Sequence, residues 1–205
     1  MAKKLFDGMM ELIRAWIFAP LVYFIFHIVL RWRVDGDLPD VPKMMCAFSP
    51  HTTNADFFFI IYLAVYFKVT PNWIGKKELF EGRFGALSSY TGGIPVDRES
   101  PLKALKQVIK YIKTNDNVVL CIAPEGTRHY IDHWKKGFYF IAQKTDIPIV
   151  FFKMDYTQRK ITVREAFYPT GDADADIAVI KTFFETGAVG RHPEKAAPVR
   201  FADEM

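Results

Sequence analysis

Met44-Met45-Cys46-Ala47-Phe48-Ser49-Pro50-His51-Thr52-Thr53-Asn54-Ala55-Asp56-Phe57 is the stretch on which the fold turns. Residues 44–48 form a short apolar run bounded by Pro42 and Pro50, which predicts a buried strand. Residues 57–67 are apolar throughout and long enough for a buried helix. Between the two stand one imidazole, His51, and five positions later one carboxylate, Asp56. On a single regular helix, residues five apart point about 140° away from each other, so the two meet only if the chain turns between them. Thr52, Thr53 and Asn54 are helix-capping types. This predicts His51 on a turn at the strand end and Asp56 in the first helical turn, where the helix dipole favours a carboxylate. Such a pair reads as a base and its orienter: the acid accepts from one ring nitrogen and leaves the other to take a proton. A capping cluster beside a buried histidine is the competing reading.

Working outward, the 205 residues suffice for one domain with a sizeable core. Half are hydrophobic and 16% aromatic, a load that fits a lipid-handling surface or a long acyl cavity. The net charge of +4 suits an anionic membrane face or a phosphorylated, CoA-type substrate. Nucleic acid is disfavoured, because no basic run interleaved with aromatics occurs. Cys46 and Cys121 both lie inside apolar runs and read as buried free thiols. No HExxH or CxxC spacing is present, so no metal site is expected; His129 and His133 are four apart but lack a third ligand.

Residues 1–14 are amphipathic, and residues 15–30 carry no charge. As a helix that stretch is about 24 Å long, against roughly 30 Å of hydrocarbon, and Pro20 would kink it. The Arg31-Trp32-Arg33 that follows speaks against a signal peptide. A spanning helix and a monotopic anchor dipping into one leaflet remain, and the anchor is favoured. Residues 1–33 are therefore expected to form a membrane anchor and 34–205 the globular domain, with 34–42 a turn-rich connector.

Further along, residues 72–75 read as a short strand followed by Lys76 and Lys77. Ligands in α/β sheets lie at such strand ends, which makes Lys77 a candidate phosphate or carrier contact, against the plain alternative of a solvated face. Gly92 to Arg98 (Gly-Gly-Ile-Pro-Val-Asp-Arg) marks a special backbone path ending in a planar guanidinium suited to phosphate. Ser100-Pro101 opens an amphipathic helix with an apolar stripe from Leu102 to Ile112. Residues 118–123 predict a central strand ending in Pro124-Glu125-Gly126-Thr127-Arg128. A glycine beside an arginine at a strand end presents N–H groups and a guanidinium to an anion; Glu125 would steady Arg128 or Lys136, or bind a hydroxyl. A helix over 134–145, a strand over 147–154, a hairpin strand over 160–167 at a sheet edge and a helix over 174–185 follow, with an extended surface tail.

Together these blocks resemble the glycerolipid acyltransferase family, which includes lysophosphatidic acid acyltransferases. The matching pieces are H-x4-D at His51 and Asp56, Gly-x-Ile-Pro-Val-Asp-Arg ending at Arg98, Glu-Gly-Thr-Arg at Glu125, Gly126, Thr127 and Arg128, and the strand Ile147-Pro148-Ile149-Val150. The resemblance implies an α/β domain, a mixed and mainly parallel sheet flanked by helices, behind an N-terminal membrane-associating helical segment. It also implies an apolar tunnel for the acyl chain, His51 as general base with Asp56 as its partner, and glycerol-phosphate binding by Arg98 and the Glu125–Arg128 block. The implied partners are membrane lipid, a lysophospholipid acceptor and acyl-CoA or acyl carrier protein as co-substrate, with no cofactor. The implied location is the cytoplasmic face of the inner membrane.

The chemistry agrees with that expectation. Acyl transfer from a thioester to an alcohol needs the hydroxyl proton removed, and histidine titrates in the right range. No Ser or Cys stands in a nucleophile motif, so direct transfer in a ternary complex is expected. Backbone N–H groups near Gly126 or Gly93 are candidate oxyanion donors. Alternatives are an acyltransferase for a lyso-aminolipid or glycerol-3-phosphate, a non-catalytic lipid-binding membrane module, and a thioester hydrolase.

Overall fold

The computed structural model describes residues 17–83, 85–97 and 100–202. A seven-stranded sheet runs through the molecule in the order β1-β7-β6-β2-β5-β3-β4. Its strands are β1 (Arg33–Asp35), β2 (Lys43–Ser49), β3 (Pro71–Lys76), β4 (Gly93–Val96), β5 (Val118–Ile122), β6 (Ile149–Asp155) and β7 (Lys160–Val163). From β6 to β4 all neighbours are parallel, whereas β7 runs antiparallel to β6 and carries β1 parallel to itself. The fold is thus α/β with a mixed, mainly parallel sheet.

The sheet is covered on both faces, which is why β2 and β6 read as unbroken apolar runs rather than as alternating ones. Met45, Ala47, Ile149, Phe151 and Leu120 point to one face, into a core completed by α4 (Pro101–Thr114), α5 (Gly137–Thr145) and α6 (Ala173–Phe184). Met44, Cys46, Phe48, Val150 and Phe152 point to the other face. There α2 (Asp56–Tyr66) buries Phe59, Tyr62 and Leu63, and the N-terminal segment adds Val22 and Trp32. That segment consists of α1 (Ala19–Tyr23) running into a π-helical turn (Phe24–Val29). Phe26 stacks on Tyr62 at 4.8 Å and meets Phe59 edge-on at 5.2 Å. No helix among the described residues is long and apolar enough to cross a membrane.

Several elements differ from expectation for local reasons. Arg33, expected at the end of the anchor, and Val34 and Asp35, expected in the connector, form a strand paired with β7, so β7 is one place in from the edge. Three residues are too few to show a periodicity. The helix after β5 starts at Gly137, not at Trp134, whose N–H donates to Arg200 O in an isolated bridge to Phe201. His129 and His133 accordingly share no helical face, and His133 pairs with Asp132 instead. Leu102, read as part of the buried stripe, is 71% exposed at the first turn of α4. A short helix, α3 (Gly85–Tyr90), interrupts the path to β4.

Asn72, in β3, ties that strand to β5, to the turn before β4 and to α4. Its Oδ1 accepts from Val119 N–H in β5, and its Nδ2 donates to Gly92 O and to the Tyr111 hydroxyl of α4. Asn72→Ala should cost about 1–3 kcal/mol, because buried partners lose their hydrogen bonds. Urea denaturation would read this as a lower midpoint at unchanged slope.

Candidate active site

The site is built at the carboxyl ends of β2, β5 and β6, where α/β sheets hold their ligands. β2 ends at Ser49, the Ser49–Pro50 bond is cis, and the chain turns through His51–Ala55 into α2. Ala55 occupies the N-cap position and no side chain caps the helix, so the capping role expected of Thr52, Thr53 or Asn54 is not taken up. The first residue of the helix, Asp56, does that work in reverse. Its Oδ2 accepts from Thr52 N–H at 2.9 Å, Thr53 N–H at 3.0 Å and His51 Nδ1 at 3.0 Å. Its Oδ1 accepts from the Tyr156 hydroxyl at 2.5 Å. Burial pushes the Asp56 carboxyl up, but hydrogen bonds from His51, Tyr156 and Thr53 outweigh it and hold the group below its ordinary value. With Nδ1 held, His51 Nε2 has no partner among the described residues, on a ring whose side chain is 25% exposed and lines a cavity.

Glu125, at the end of β5, is 2% exposed and supports the same turn. Its Oε1 accepts from Ser49 Oγ at 2.7 Å and from His51 N–H at 3.2 Å, while Oε2 has no partner. Burial pushes its carboxyl up beyond what these bonds pull back. Glu125 therefore reaches neither Arg128 nor Lys136, contrary to expectation; it braces the histidine turn.

After Glu125 the chain passes through Gly126 in a left-handed conformation, φ +63°. The Gly126 N–H donates to Ala123 O at 2.9 Å, which removes it as an oxyanion donor. The N–H groups of Thr127 and Arg128, next in line, donate to none of the described residues. Gly93, the other candidate, lies in β4 and outside the cavity lining.

The cavity measures about 960 Å³. Phe57, Phe58 and Ile60 of α2 form one wall, Ala104, Leu105 and Val108 of α4 another, and Cys121 lies between them. His51, Asn54, Asp56, Thr127, Arg128, His129 and Lys135 supply its polar lining. Arg128 forms no ion pair among the described residues, and Lys135 lies beside Gly126, its Nζ 3.2 Å from where a Cβ would project.

Of the residues singled out by sequence, His51, Asp56, Glu125, Gly126, Thr127 and Arg128 converge here. Lys77 does not: it is exposed in a 3₁₀ turn, paired with Glu81 and outside the cavity lining. Arg98 lies outside the described residues. Three contributors carried no signal in the sequence. Tyr156 and Lys135 reach the site through the fold, not through a motif. The tail is the third: far from lying free on the surface, it crosses the histidine turn. Val189 O accepts from Tyr156 N–H, His192 N–H donates to Thr52 Oγ1, and a Cβ on Gly190 would sit 2.7 Å from Thr52 Cγ2.

The fold is a three-layer α/β one in which a buried acid aligns a histidine over an apolar-walled cavity. A sequence model of the acyltransferase family matches residues 37–154, more than half of the chain, and the chain belongs to that family. It is an acyltransferase. Among solved structures it is similar in fold to the 1-acyl-sn-glycerophosphate (LPA) acyltransferase PlsC from Thermotoga maritima. That match has a TM-score of 0.56 and 18% identity, over 89% of this chain and 87% of that one. No curated protein sequence matches the chain.

Because Asp56 is held below its ordinary value of 3.8, it contributes stability that is present above that pH and lost as pH falls through its folded-state value. Asp56→Asn should therefore flatten the acid limb of a stability–pH curve. Glu125→Ala should cost about 2–4 kcal/mol by emptying a buried site and orphaning two donors. Glu125→Gln, which keeps an oxygen towards Ser49, should cost less than half of that in the same denaturation assay.

Proposed function

We propose that this chain is a membrane-associated O-acyltransferase that moves a fatty acyl group from acyl-CoA or an acyl carrier protein to the hydroxyl of a lysophospholipid such as 1-acylglycerol-3-phosphate. The observation that carries the reading is the His51–Asp56 pair on an apolar cavity whose polar lining holds two cations, Arg128 and Lys135, with no ion pair among the described residues. The acyl chain lies along Phe57, Phe58, Leu105 and Val108. The acceptor's anionic head meets Arg128 and Lys135, with the open N–H groups of Thr127 and Arg128 beside them. Those N–H groups also suit the oxyanion of the tetrahedral intermediate.

His51 Nε2 takes the acceptor's hydroxyl proton as that oxygen attacks the thioester carbonyl carbon. The tetrahedral adduct then collapses, the C–S bond breaks, and the departing thiolate takes the proton back from the imidazolium. Ser49 is only 3% exposed and its hydroxyl is donated to Glu125, which supports direct transfer over an acyl-serine at this turn.

For the membrane, Ile17, Phe18, Leu21, Phe24, Ile28 and Val29 are all exposed on the N-terminal segment. Phe57 and Phe58 are half exposed at the cavity wall on the same side of the sheet. Of the anchor expected over residues 1–33, residues 1–16 lie outside the described residues, Trp32 is buried in the domain core and Arg33 belongs to β1. The exposed apolar side chains of 17–29 support a monotopic anchor dipping into one leaflet, with 34–205 as the acyltransferase domain.

Purified protein with labelled acyl thioester and a panel of acceptors tests the proposal. His51→Ala should lower turnover by about 10²- to 10⁴-fold; turnover within a few-fold of the parent would remove the base assignment. Arg128→Ala should raise KM for a phosphorylated acceptor by about 10- to 100-fold, the loss of one charge-assisted hydrogen bond. Equal loss with an uncharged acceptor would argue against its role, and release of free fatty acid without acceptor would indicate a hydrolase.

A further inference from the structure

Tyr156 follows directly on β6, a hundred positions after Asp56. Its backbone is fixed from two sides: its N–H donates to Val189 O at 2.8 Å, and Asp155 Oδ1 accepts from the N–H groups of Thr157 and Gln158 in the turn beyond. Its hydroxyl supplies the only hydrogen bond to Asp56 Oδ1 among the described residues. Its ring is held edge-on by Trp32 at 5.1 Å and by Phe59 at 5.6 Å. Trp32 is itself 5% exposed, meets Phe59 at 4.4 Å, and donates its backbone N–H to Phe26 O. An unbroken line of contacts therefore runs from the N-terminal segment through Trp32 and Tyr156 to the carboxylate that orients His51.

We infer that Tyr156 is a positioning residue for the His51–Asp56 pair, and that Trp32 keeps it in place, so that the seating of the N-terminal segment on the domain sets the geometry of the base. The carboxylate has two oxygens and one rotatable plane. Three donors on Oδ2 fix its position, and the phenol on Oδ1 fixes its rotation, which decides whether Oδ2 stays in line with Nδ1. The phenol also draws charge off the acid and so moderates its pull on the imidazole proton. Other charged groups facing the pair are Glu125, whose Oε1 meets the His51 N–H, and Arg191 of the crossing tail, which acts on Tyr156.

The inference rests on His51 acting as the base, and the test separates the two. Tyr156→Phe keeps the ring against Trp32 and Phe59 and removes only the hydroxyl. It should lower kcat by about 10-fold or more with acceptor KM within about 2-fold. Without the phenol the carboxylate presents more negative charge to the imidazole and favours its protonated form. The acid limb of the kcat/KM–pH profile should then move to higher pH by about half a unit. A merely structural role would leave that limb in place. Trp32→Ala should lower kcat in the parent but cost little more in the Tyr156→Phe background, because both act through one hydroxyl. Circular dichroism checks folding, and Trp32→Leu replaces Trp32→Ala if that chain fails to fold. An inactive His51→Ala beside a Tyr156→Phe with unchanged kcat and pH limb would overturn the inference alone. Additive losses in the cycle would overturn the link to Trp32. An active His51→Ala would remove the underlying base assignment instead.

Discussion

One carboxylate carries the organisation of this site. Asp56 accepts four hydrogen bonds, two from backbone N–H groups of its own turn, one from the imidazole and one from a phenol in the turn just beyond β6. The group is 4% exposed, and a charge so buried persists only where its lone pairs are filled. Everything that fills them has to be brought to the same place: the turn after β2, the start of α2, and the end of β6. The fold is the device that brings them there, and the positions of β2 and β6 as adjacent parallel strands follow from that requirement.

Much of this was legible in the chain. A strand ending at Ser49 and a helix starting at Asp56 put His51 and Asp56 on a turn, because five residues of regular helix would have separated them. The apolar runs of β2, β5 and β6 gave the buried strands for the same reason: only a sheet covered on both faces needs no alternation. What stayed hidden is what depends on distance along the chain. Tyr156, Lys135 and the tail at 189–192 have no local pattern that marks them, and they meet the turn only once the sheet is closed. Glu125 stands out at its strand end but its partners do not, since a carboxylate there can equally face the cations after it as the turn after β2.

The two faces of the sheet divide the work. One face carries α4, α5 and α6 over the larger part of the core, and the other carries α2 and the N-terminal segment with its exposed apolar side chains. The cavity opens where the two meet at the strand ends, walled by α2 on one side and α4 on the other.

The hydrogen bonds that define the site span long stretches of chain: 74 residues from His51 to Glu125, 100 from Asp56 to Tyr156 and 140 from Thr52 to His192. Closing such loops is slow compared with forming helices. During synthesis the histidine turn emerges long before its distant supports, Glu125, Tyr156 and His192, so the site is complete only once the last strands and the tail have docked.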